Sequence, residues 1–276
     1  MFQHKWLVHC TMFLVIVLAG SLLFGGVGAA AATTASTTVK LTGYLSKSEL
    51  PDGMMILPPP PAEGSAAMSL DEDVASRTFG VRDTARFELA LSDYDLSFPH
   101  AAGVYSCSFN APITEKDTPV LYRLLRRVRT DSSDATKVAK SYYQRPRPFM
   151  VNGEPMCAPE TAKELAKGGS YPSGHTAIGW TWALILAEIS PADADAILLR
   201  GRAYGESRNV CNHHWYSDVE WGRVMAAATV ARLHTKPEFL ADLATAKAEL
   251  AAVRAKGLAP TRNCAVEAAA LSIQPY

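Results

Sequence analysis

Residues 207–218 read SRNVCNHHWYSD and hold the most informative pattern of this 276-residue chain. If they are helical, His214 and Asp218 lie one turn apart on the same face. A carboxylate that accepts the N–H of one imidazole nitrogen fixes the tautomer and leaves the other nitrogen with a lone pair. The spacing therefore predicts His214 as a nucleophile and Asp218 as the residue that orients it. His213 is the neighbouring histidine, but it lacks the four-residue spacing to Asp218.

Arg208 lies six residues before His214, close enough in sequence to serve the same pocket. Its planar guanidinium carries forked donors that match two oxygens of a phosphate, which a lysine ammonium binds only as a point charge. The simpler interpretation is a surface helix in which Arg208 forms a salt bridge. This stretch alone does not decide between the two, because short motifs often occur by chance.

Two upstream stretches carry related chemistry. Residues 168–176 read GGSYPSGHT and precede an apolar run, so Ser173 and Gly174 fall at the start of a helix. Free N–H groups and the dipole of a helix start bind anions, which makes this step, with His175 beside it, a candidate phosphate cradle. The alternative is an ordinary capped helix with an exposed histidine. Residues 140–148 read KSYYQRPRP and set Lys140 seven residues before Arg147, either as further anion ligands or as a basic solvated loop.

The three stretches occur in one chain, in order, as Lys-x6-Arg-Pro, Pro-Ser-Gly-His and Ser-Arg-x5-His-x3-Asp. Together they resemble the three-part signature of the type 2 phosphatidic acid phosphatase (PAP2) superfamily. Other segments resemble the secreted bacterial class A non-specific acid phosphatases, namely LPPPP at 57–61, YQRPRPF at 143–149, GSYPSGHTA at 169–177 and GESR at 205–208. This similarity extends over roughly residues 57–250.

The fold class expected from the residue pattern is all-α. No convincing strand alternation is found, and the expected architecture is a single-domain bundle of about eight to ten helices. The resemblance implies a bundle of the PAP2 and haloperoxidase type. Two helices joined by a turn near Gly80 are expected within residues 66–91. Other predicted helices are 118–130, 176–188 and one from about 213 to 233 that carries the nucleophile.

The resemblance also implies a function, a metal-independent acid phosphatase that hydrolyses phosphate monoesters through a phosphohistidine on His214. His175 would be the general acid and base, and Asp218 would orient His214. The phosphoryl oxygens would be bound by cations and a helix start, namely Lys140, Arg147, Arg208, Ser173 and Gly174. No metal or other cofactor is expected, and inorganic phosphate and vanadate are expected inhibitors.

Two other functions fit the same residues. The vanadium haloperoxidases have a similar constellation, in which vanadate would occupy the phosphate position with His214 as its ligand, but those proteins are typically much longer. A periplasmic phosphate-binding protein would bind the anion without turning it over. Binding alone needs only the cations and the amides, so the complete set of His214, Asp218 and His175 favours an enzyme.

The N-terminus predicts export. A basic start, an apolar run at 12–24 and the small residues at 27–32 are typical of a secretory signal peptide at 1–32. An uncleaved membrane anchor is the alternative. Residues 33–63, rich in Pro, Ala and Thr, are predicted as an extended arm, and residues 64–276 as the PAP2-like acid phosphatase domain. The mature chain would then be periplasmic or secreted, without insertion into a membrane.

Cysteine content and charge agree with that interpretation. Four cysteines follow the predicted signal peptide, an even number that suits two disulfides in an oxidising compartment: Cys107, Cys157, Cys211 and Cys264. Four cysteines allow three connectivities, and the sequence leaves them open. The 27 basic and 27 acidic residues give a formal net charge of zero, so composition offers no argument for nucleic acid as a partner. A homo-oligomer is expected.

Overall fold

The computed structural model describes residues 41–276, so the predicted signal peptide and the first residues of the predicted arm lie outside the described residues. This part of the chain forms eleven α-helices and four short 3-10 helices, without any strand. The helices are α1 Gly53–Ile56, α2 Ala66–Thr78, α3 Ala85–Ser92, α4 Pro119–Tyr143, α5 Pro148–Asn152, α6 Ala162–Leu165, α7 Gly174–Ile189, α8 Ala194–Val210, α9 Tyr216–Leu233, α10 Pro237–Ala255 and α11 Cys264–Leu271. The predicted all-α class is confirmed. None of these helices is both long enough and apolar enough to cross a membrane.

Local sequence explains where several helices begin. The side chains of Ser65, Ser173 and Asn263 accept hydrogen bonds from backbone N–H groups in the first turns of α2, α7 and α11. These bonds satisfy donors that a helix start leaves free. Proline opens α4, α5 and α10, where its missing N–H is not needed. The two helices predicted on either side of Gly80 are confirmed as α2 and α3, joined by a 3-10 turn.

Helix α4 is longer than predicted and brings Lys140 to its last turn. The predicted helix ends at 130, whereas α4 has 25 residues. Its buried face continues through small and polar side chains that a search for large apolar residues does not detect, namely Asp131, Ser132, Ala135, Thr136 and Ala139. The helix ends at Tyr143, and the next residue, Gln144, has a left-handed φ of 43°. Lys140 is therefore held by a long helix rather than by a connecting segment.

Helix α7 is the central element and packs against α4, α8 and α9. Trp182 on this helix is fully buried. Two glycines allow α7 and α8 to approach closely. A Cβ on Gly179 would lie 2.2 Å from the ring of Tyr204, and one on Gly201 would lie 2.5 Å from the Cβ of Ala183. These contacts hold together the two helices that carry the Pro-Ser-Gly-His and Ser-Arg stretches.

Helix α9 packs against the start of α7 through a third glycine. A Cβ on Gly222 would lie 2.7 Å from the carbonyl oxygen of Ser173 and 3.0 Å from the Cβ of Thr176. Because that oxygen belongs to the backbone, no side-chain rotation can relieve the contact. The present position of α9 against the first turn of α7 therefore requires glycine at 222.

Gly222→Ala is expected to lower the free energy of unfolding by about 1–3 kcal/mol, the usual cost of overpacking. It should also weaken inhibition by inorganic phosphate, because the first turn of α7 has to shift. Urea unfolding and the phosphate inhibition constant measure the two effects. Gly80→Ala is the control, since a Cβ at that position meets nothing within 4 Å. Equal stability of the two variants would contradict the close approach of α9.

The described part of the predicted arm is fixed to the bundle. The backbone N–H groups of Tyr44 and Leu45 donate to the Asp131 carboxylate at 2.9 and 3.0 Å. Leu57 is buried, and α1 packs on α4. Residues 41–63 thus belong to the same compact unit as the helices that follow, which differs from the predicted domain start at 64. The proline-rich composition of this segment gives no sign of these specific contacts.

Two disulfides, Cys107–Cys264 and Cys157–Cys211, select one of the three possible connectivities. The first joins the segment before α4 to the start of α11. The second joins the loop after α5 to the residue that follows α8. Because Cys211 lies three residues before His214, this second bond restrains the chain next to the predicted nucleophile.

Candidate active site

One cavity of about 290 Å³ collects the three sequence stretches. Six of the eight predicted site residues line it, namely Lys140, Arg147, Gly174, His175, Arg208 and His214. The other two lie directly behind its wall, where Ser173 caps α7 and Asp218 contacts His214. A larger cavity of about 490 Å³ between α3 and α11 contains none of the eight. The signature residues therefore meet at one place in the fold.

His214 lies in the loop between α8 and α9, so the prediction that a helix from about 213 carries it is wrong. Helix α8 ends at Val210, Asn212 has a left-handed φ of 57°, and Trp215 is extended, which interrupts the helix. Asp218 is the third residue of α9, and its carboxylate accepts the N–H of Trp215 at 2.9 Å as a helix cap. His214 Nδ1 lies 3.3 Å from Asp218 Oδ2. The predicted pair meets, but through a helix cap rather than along a helix face.

The neighbours of His214 determine its tautomer. Nδ1 faces the Asp218 carboxylate, which can only accept, so Nδ1 carries the proton. Nε2 lies 3.1 Å from Nη1 of Arg147, which can only donate, so Nε2 presents its lone pair. The Ser170 hydroxyl donates to the same oxygen of Asp218. Burial and the charges of Arg147 and Lys140 lower the pKa of His214 well below its usual value, so the ring is neutral, as a nucleophile requires.

Three buried cations surround the cavity. Lys140 Nζ donates to two backbone carbonyl oxygens at 3.1 Å. Arg147 donates to two others at 2.9 and 3.0 Å, and Arg208 Nη2 donates to the carbonyl oxygen of Ala90 at 2.7 Å. In the described part of the chain their partners are carbonyl oxygens, the His214 ring and a cysteine sulfur, not carboxylates. The cavity wall therefore keeps an excess of positive charge.

Arg208 has two further donor nitrogens without a partner in the described part of the chain. Its side chain is fully buried, and neither Nε nor Nη1 has a hydrogen-bond partner among residues 41–276. A buried N–H group without an acceptor is costly, so these donors need an acceptor that the described residues do not supply. Because Arg208 lines the cavity, an oxyanion bound there would satisfy both.

The cations also affect one another. Burial and the charge of Arg147 lower the pKa of Lys140 to about 7. Burial likewise lowers the pKa of Arg147 and of Arg208. Negative charge in the cavity would raise all three pKa values again, because it favours the charged form of each group. The arrangement thus favours an anion with more than one charge.

The start of α7 adds backbone donors to the same space. Ser173 is the N-cap, and its Oγ accepts the N–H of Thr176 at 3.3 Å. The N–H groups of Gly174 and His175 fall in the first turn, where a helix offers them no acceptor. Both residues line the cavity. These amides and the positive end of the helix dipole therefore supplement the three cations.

His175 stands on the cavity wall with one ring nitrogen already engaged. Nε2 lies 3.0 Å from the carbonyl oxygen of Tyr94, which only accepts, so Nε2 carries a proton and Nδ1 remains for proton exchange with a ligand. Burial and the charge of Arg208 lower the pKa of His175 to about 3. A bound phosphoryl dianion would raise this pKa, since negative charge favours the imidazolium. A general-acid role requires that increase.

His213 has different surroundings from His214. Its ring lies edge-on to Tyr94, and its Nε2 has no partner among the described residues. Its backbone carbonyl oxygen accepts Nη1 of Arg147 at 3.0 Å. Of the two histidines, only His214 faces the Asp218 carboxylate. The geometry therefore favours the same histidine as the spacing did.

Sequence reasoning missed three residues that contact the predicted catalytic ones. Arg145 is buried and pairs with Asp218 at 2.7 Å, and Ser170 donates to the same carboxylate. Tyr94 supplies the carbonyl that holds His175, and its ring stacks on the imidazole. Two consecutive Arg-Pro steps could have drawn attention to Arg145, but no sequence signal marks Ser170 or Tyr94.

Known proteins are similar in sequence to this chain. A family model described as the PAP2 superfamily matches residues 130–240, a segment that contains all eight predicted site residues. The non-specific acid phosphatase of Providencia stuartii is 44% identical over 212 residues, which are 76% of this chain and 86% of that protein. The acid phosphatase of Zymomonas mobilis is 38% identical over 76% of this chain and 79% of its own length. The non-specific acid phosphatase of Salmonella typhimurium is 38% identical over 75% of this chain and 83% of its own length.

Proposed function

The chain belongs to the PAP2 superfamily and is an acid phosphatase, a phosphoric monoester hydrolase, and from this premise we propose that it works through a phosphohistidine on His214. The observation that carries the proposal is the environment of that ring. Nδ1 is held by Asp218, and Nε2 presents its lone pair beside the cations of the cavity. A neutral, oriented imidazole next to an anion site is the arrangement that in-line attack on phosphorus needs.

The substrate phosphoryl group would lie among Lys140, Arg147, Arg208 and the amides that follow Ser173. These donors match the equatorial oxygens, whose charge they stabilise in the transition state. Arg147 Nη1 now lies on His214 Nε2, so it would move to a phosphoryl oxygen when substrate binds. That exchange frees the lone pair for attack at the moment the phosphorus arrives.

In the first step His214 Nε2 forms a bond to phosphorus while the bond from phosphorus to the ester oxygen breaks. His175 would give its proton to the departing oxygen, so the product leaves as an alcohol. In the second step His175 would take a proton from water, whose oxygen attacks phosphorus as the bond to Nε2 breaks. Inorganic phosphate and the neutral His214 result, and His175 regains its proton. Asp218 stabilises the positive charge that the His214 ring carries between the two steps.

We also propose that the mature enzyme is periplasmic or secreted and acts as a homo-oligomer. The export signal predicted at 1–32 supports the first point, together with the disulfides Cys107–Cys264 and Cys157–Cys211, which suit an oxidising compartment. Inorganic phosphate and vanadate would inhibit by occupying the phosphoryl site. N-terminal sequencing of the exported protein and its mass in solution test localisation and assembly.

Asp218→Asn is expected to lower kcat by about a hundredfold or more, with a small effect on KM. An amide can donate to His214 Nδ1 and so favour the wrong tautomer, as at other His–Asp pairs. Steady-state kinetics with an aryl phosphate measure the change. Glu220→Gln is the matched control, because Glu220 lies two residues further along α9 and pairs with Arg223 at the surface. Unchanged kinetics in Asp218→Asn would reduce Asp218 to a helix cap.

The value of kcat/KM is expected to fall above about pH 7, where Lys140 loses its charge. Its pKa is lowered to about 7, so the cation is present below that pH and lost above it. His214 stays neutral well into the acid range because its own pKa is depressed. Lys140→Arg keeps a cation at every pH, so kcat/KM for the same substrate should begin to fall at a higher pH than in the wild type. EDTA should change neither profile, and an unmoved limb would contradict the role of Lys140.

A further inference from the structure

A second buried charge cluster lies behind Asp218, away from the cavity. Arg145 is only 7% exposed and Asp71 is fully buried. Arg145 Nη1 donates to Asp218 Oδ1 at 2.7 Å, and its Nη2 donates to Asp71 Oδ2 at 2.7 Å. One guanidinium therefore bridges two carboxylates, one from α2 and one from α9.

The cluster also includes the first turn of α9. Asp71 Oδ1 accepts the backbone N–H of Ser217 at 2.7 Å, and Asp71 Oδ2 accepts its hydroxyl at 2.7 Å. The Ser217 hydroxyl is also 2.8 Å from Arg145 Nη1. A carboxylate of α2 thus caps α9 beside the residue that orients the nucleophile, and Arg145 closes the network.

The hydrogen bonds of Asp218 show what this network does. Oδ2 accepts from the Trp215 N–H, the Ser170 hydroxyl and His214 Nδ1, whereas Oδ1 accepts from Arg145. The two oxygens therefore have different donors, which fixes the orientation of the carboxyl group. Without the Arg145 fork, Oδ1 would be a buried acceptor with no strong donor, and the carboxylate could rotate.

The charges lead to the same conclusion. Asp71 and Asp218 are both buried, and Arg145 is the cation that contacts both. Removing one member of a buried ion network leaves an uncompensated charge, which is strongly destabilising. Lysine cannot replace the fork, because its single ammonium does not reach two carboxylates with fixed geometry.

We infer that Arg145 and Asp71 are positioning residues for the reaction, which hold the Asp218 carboxylate so that the His214 Nδ1 proton stays in place and Nε2 points at phosphorus. The inference rests on the proposed role of His214 as the nucleophile. Neither residue touches the cavity that binds the phosphoryl group. Their effect therefore acts on the rate of the chemical step and not on the binding of phosphate.

The test compares Arg145→Lys, Asp71→Asn and the control Arg254→Lys. Arg254 pairs with Asp193 and with the carbonyl oxygen of Phe109, remote from the cavity. We expect Arg145→Lys to lower kcat by about 10–100-fold, as small misplacements of a reacting group do, and Asp71→Asn by a smaller factor. The inhibition constant for inorganic phosphate should change by less than about threefold in all variants, since the cations that bind phosphate are intact. Arg254→Lys should keep wild-type kcat.

A double variant separates positioning from a general loss of packing. If Arg145 acts through Asp218, then Arg145→Lys combined with Asp218→Asn should be no slower than Asp218→Asn alone. The inference would be overturned if the losses of kcat in the two single variants multiplied in the double variant. A normal kcat in the folded Arg145→Lys and Asp71→Asn enzymes would also overturn it. If Arg145→Lys does not fold, Asp71→Asn takes its place in the test, because it keeps the Arg145 bond to Asp218. Its kcat, alone and combined with Asp218→Asn, is then judged in the same way. Absence of a phosphoenzyme on His214 in the wild type would instead overturn the proposed function.

Discussion

His214→Ala is expected to lower kcat by about 10⁴-fold or more while the protein still binds inorganic phosphate. In the proposed mechanism the substitution removes the atom that attacks phosphorus, and Asp218, the partner of His214, cannot replace it. The cations Lys140, Arg147 and Arg208 remain, so the anion site survives. Turnover of an aryl phosphate and phosphate binding by calorimetry measure the two quantities on the same preparation.

His213→Ala is the matched control for that variant. The two residues are adjacent and both line the cavity, but the His213 ring has no carboxylate partner among the described residues. His213→Ala should keep kcat within about threefold of the wild type, as a side chain outside the reacting set does. The assignment of the nucleophile would be wrong if His214→Ala retained a tenth of wild-type turnover, or if the two variants lost activity equally.

His175→Ala is expected to show a loss that depends on the leaving group. A general acid matters most when the departing oxygen is strongly basic, so kcat for an alkyl phosphate should fall by about 10²–10⁴-fold. A nitrophenyl phosphate has a leaving group that departs without a proton, and its phosphorylation step should be affected far less. Rapid-mixing measurement of alcohol release separates this step from hydrolysis of the intermediate.

The comparison of the two substrates within one variant serves as its own control. Both bind through the same phosphoryl group, so a defect in the cavity would reduce both by the same factor. An equal loss for the two leaving groups would contradict protonation by His175. Because the pKa of His175 is lowered to about 3, we also expect its ring to be protonated only when a phosphoryl group is bound beside it.

The sequence predicted which residues gather at the cavity better than the geometry in which they meet. Three short stretches identified all eight candidate residues, because the chemistry of a phosphoryl site restricts residue types and spacing. The all-α class follows from helical patterns and the lack of strand alternation, whereas the type of bundle rests on the resemblance. The helix at His214 was wrong, since Asp218 caps α9 and the chain is extended at Trp215. The four-residue spacing of His214 and Asp218 corresponds to a capped turn in this structure. Spacing alone does not distinguish a capped turn from two residues on one face of a helix.

Contacts between distant parts of the chain could not be predicted. The sequence places Arg145 in a basic stretch and gives no sign of its partner Asp71, which lies 74 residues away. The extent of α4 was underestimated because its second half buries small and polar side chains. Disulfide connectivity was open for the same reason, since it depends on which loops meet in space. These features follow from packing, which a single sequence does not record.

Trapping the phosphoenzyme during turnover is the most direct measurement of the proposed mechanism. The enzyme is mixed with substrate, quenched in alkali to preserve a phosphorus–nitrogen bond, reduced, digested with trypsin and sequenced by mass spectrometry. Cleavage after Arg208 and Arg223 gives the peptide 209–223, which contains His213 and His214 but not His175. We predict phosphate on His214 in the wild type and none on this peptide in His214→Ala. Phosphate on His213 or His175, or turnover without any phosphoenzyme, would contradict a phosphohistidine on His214.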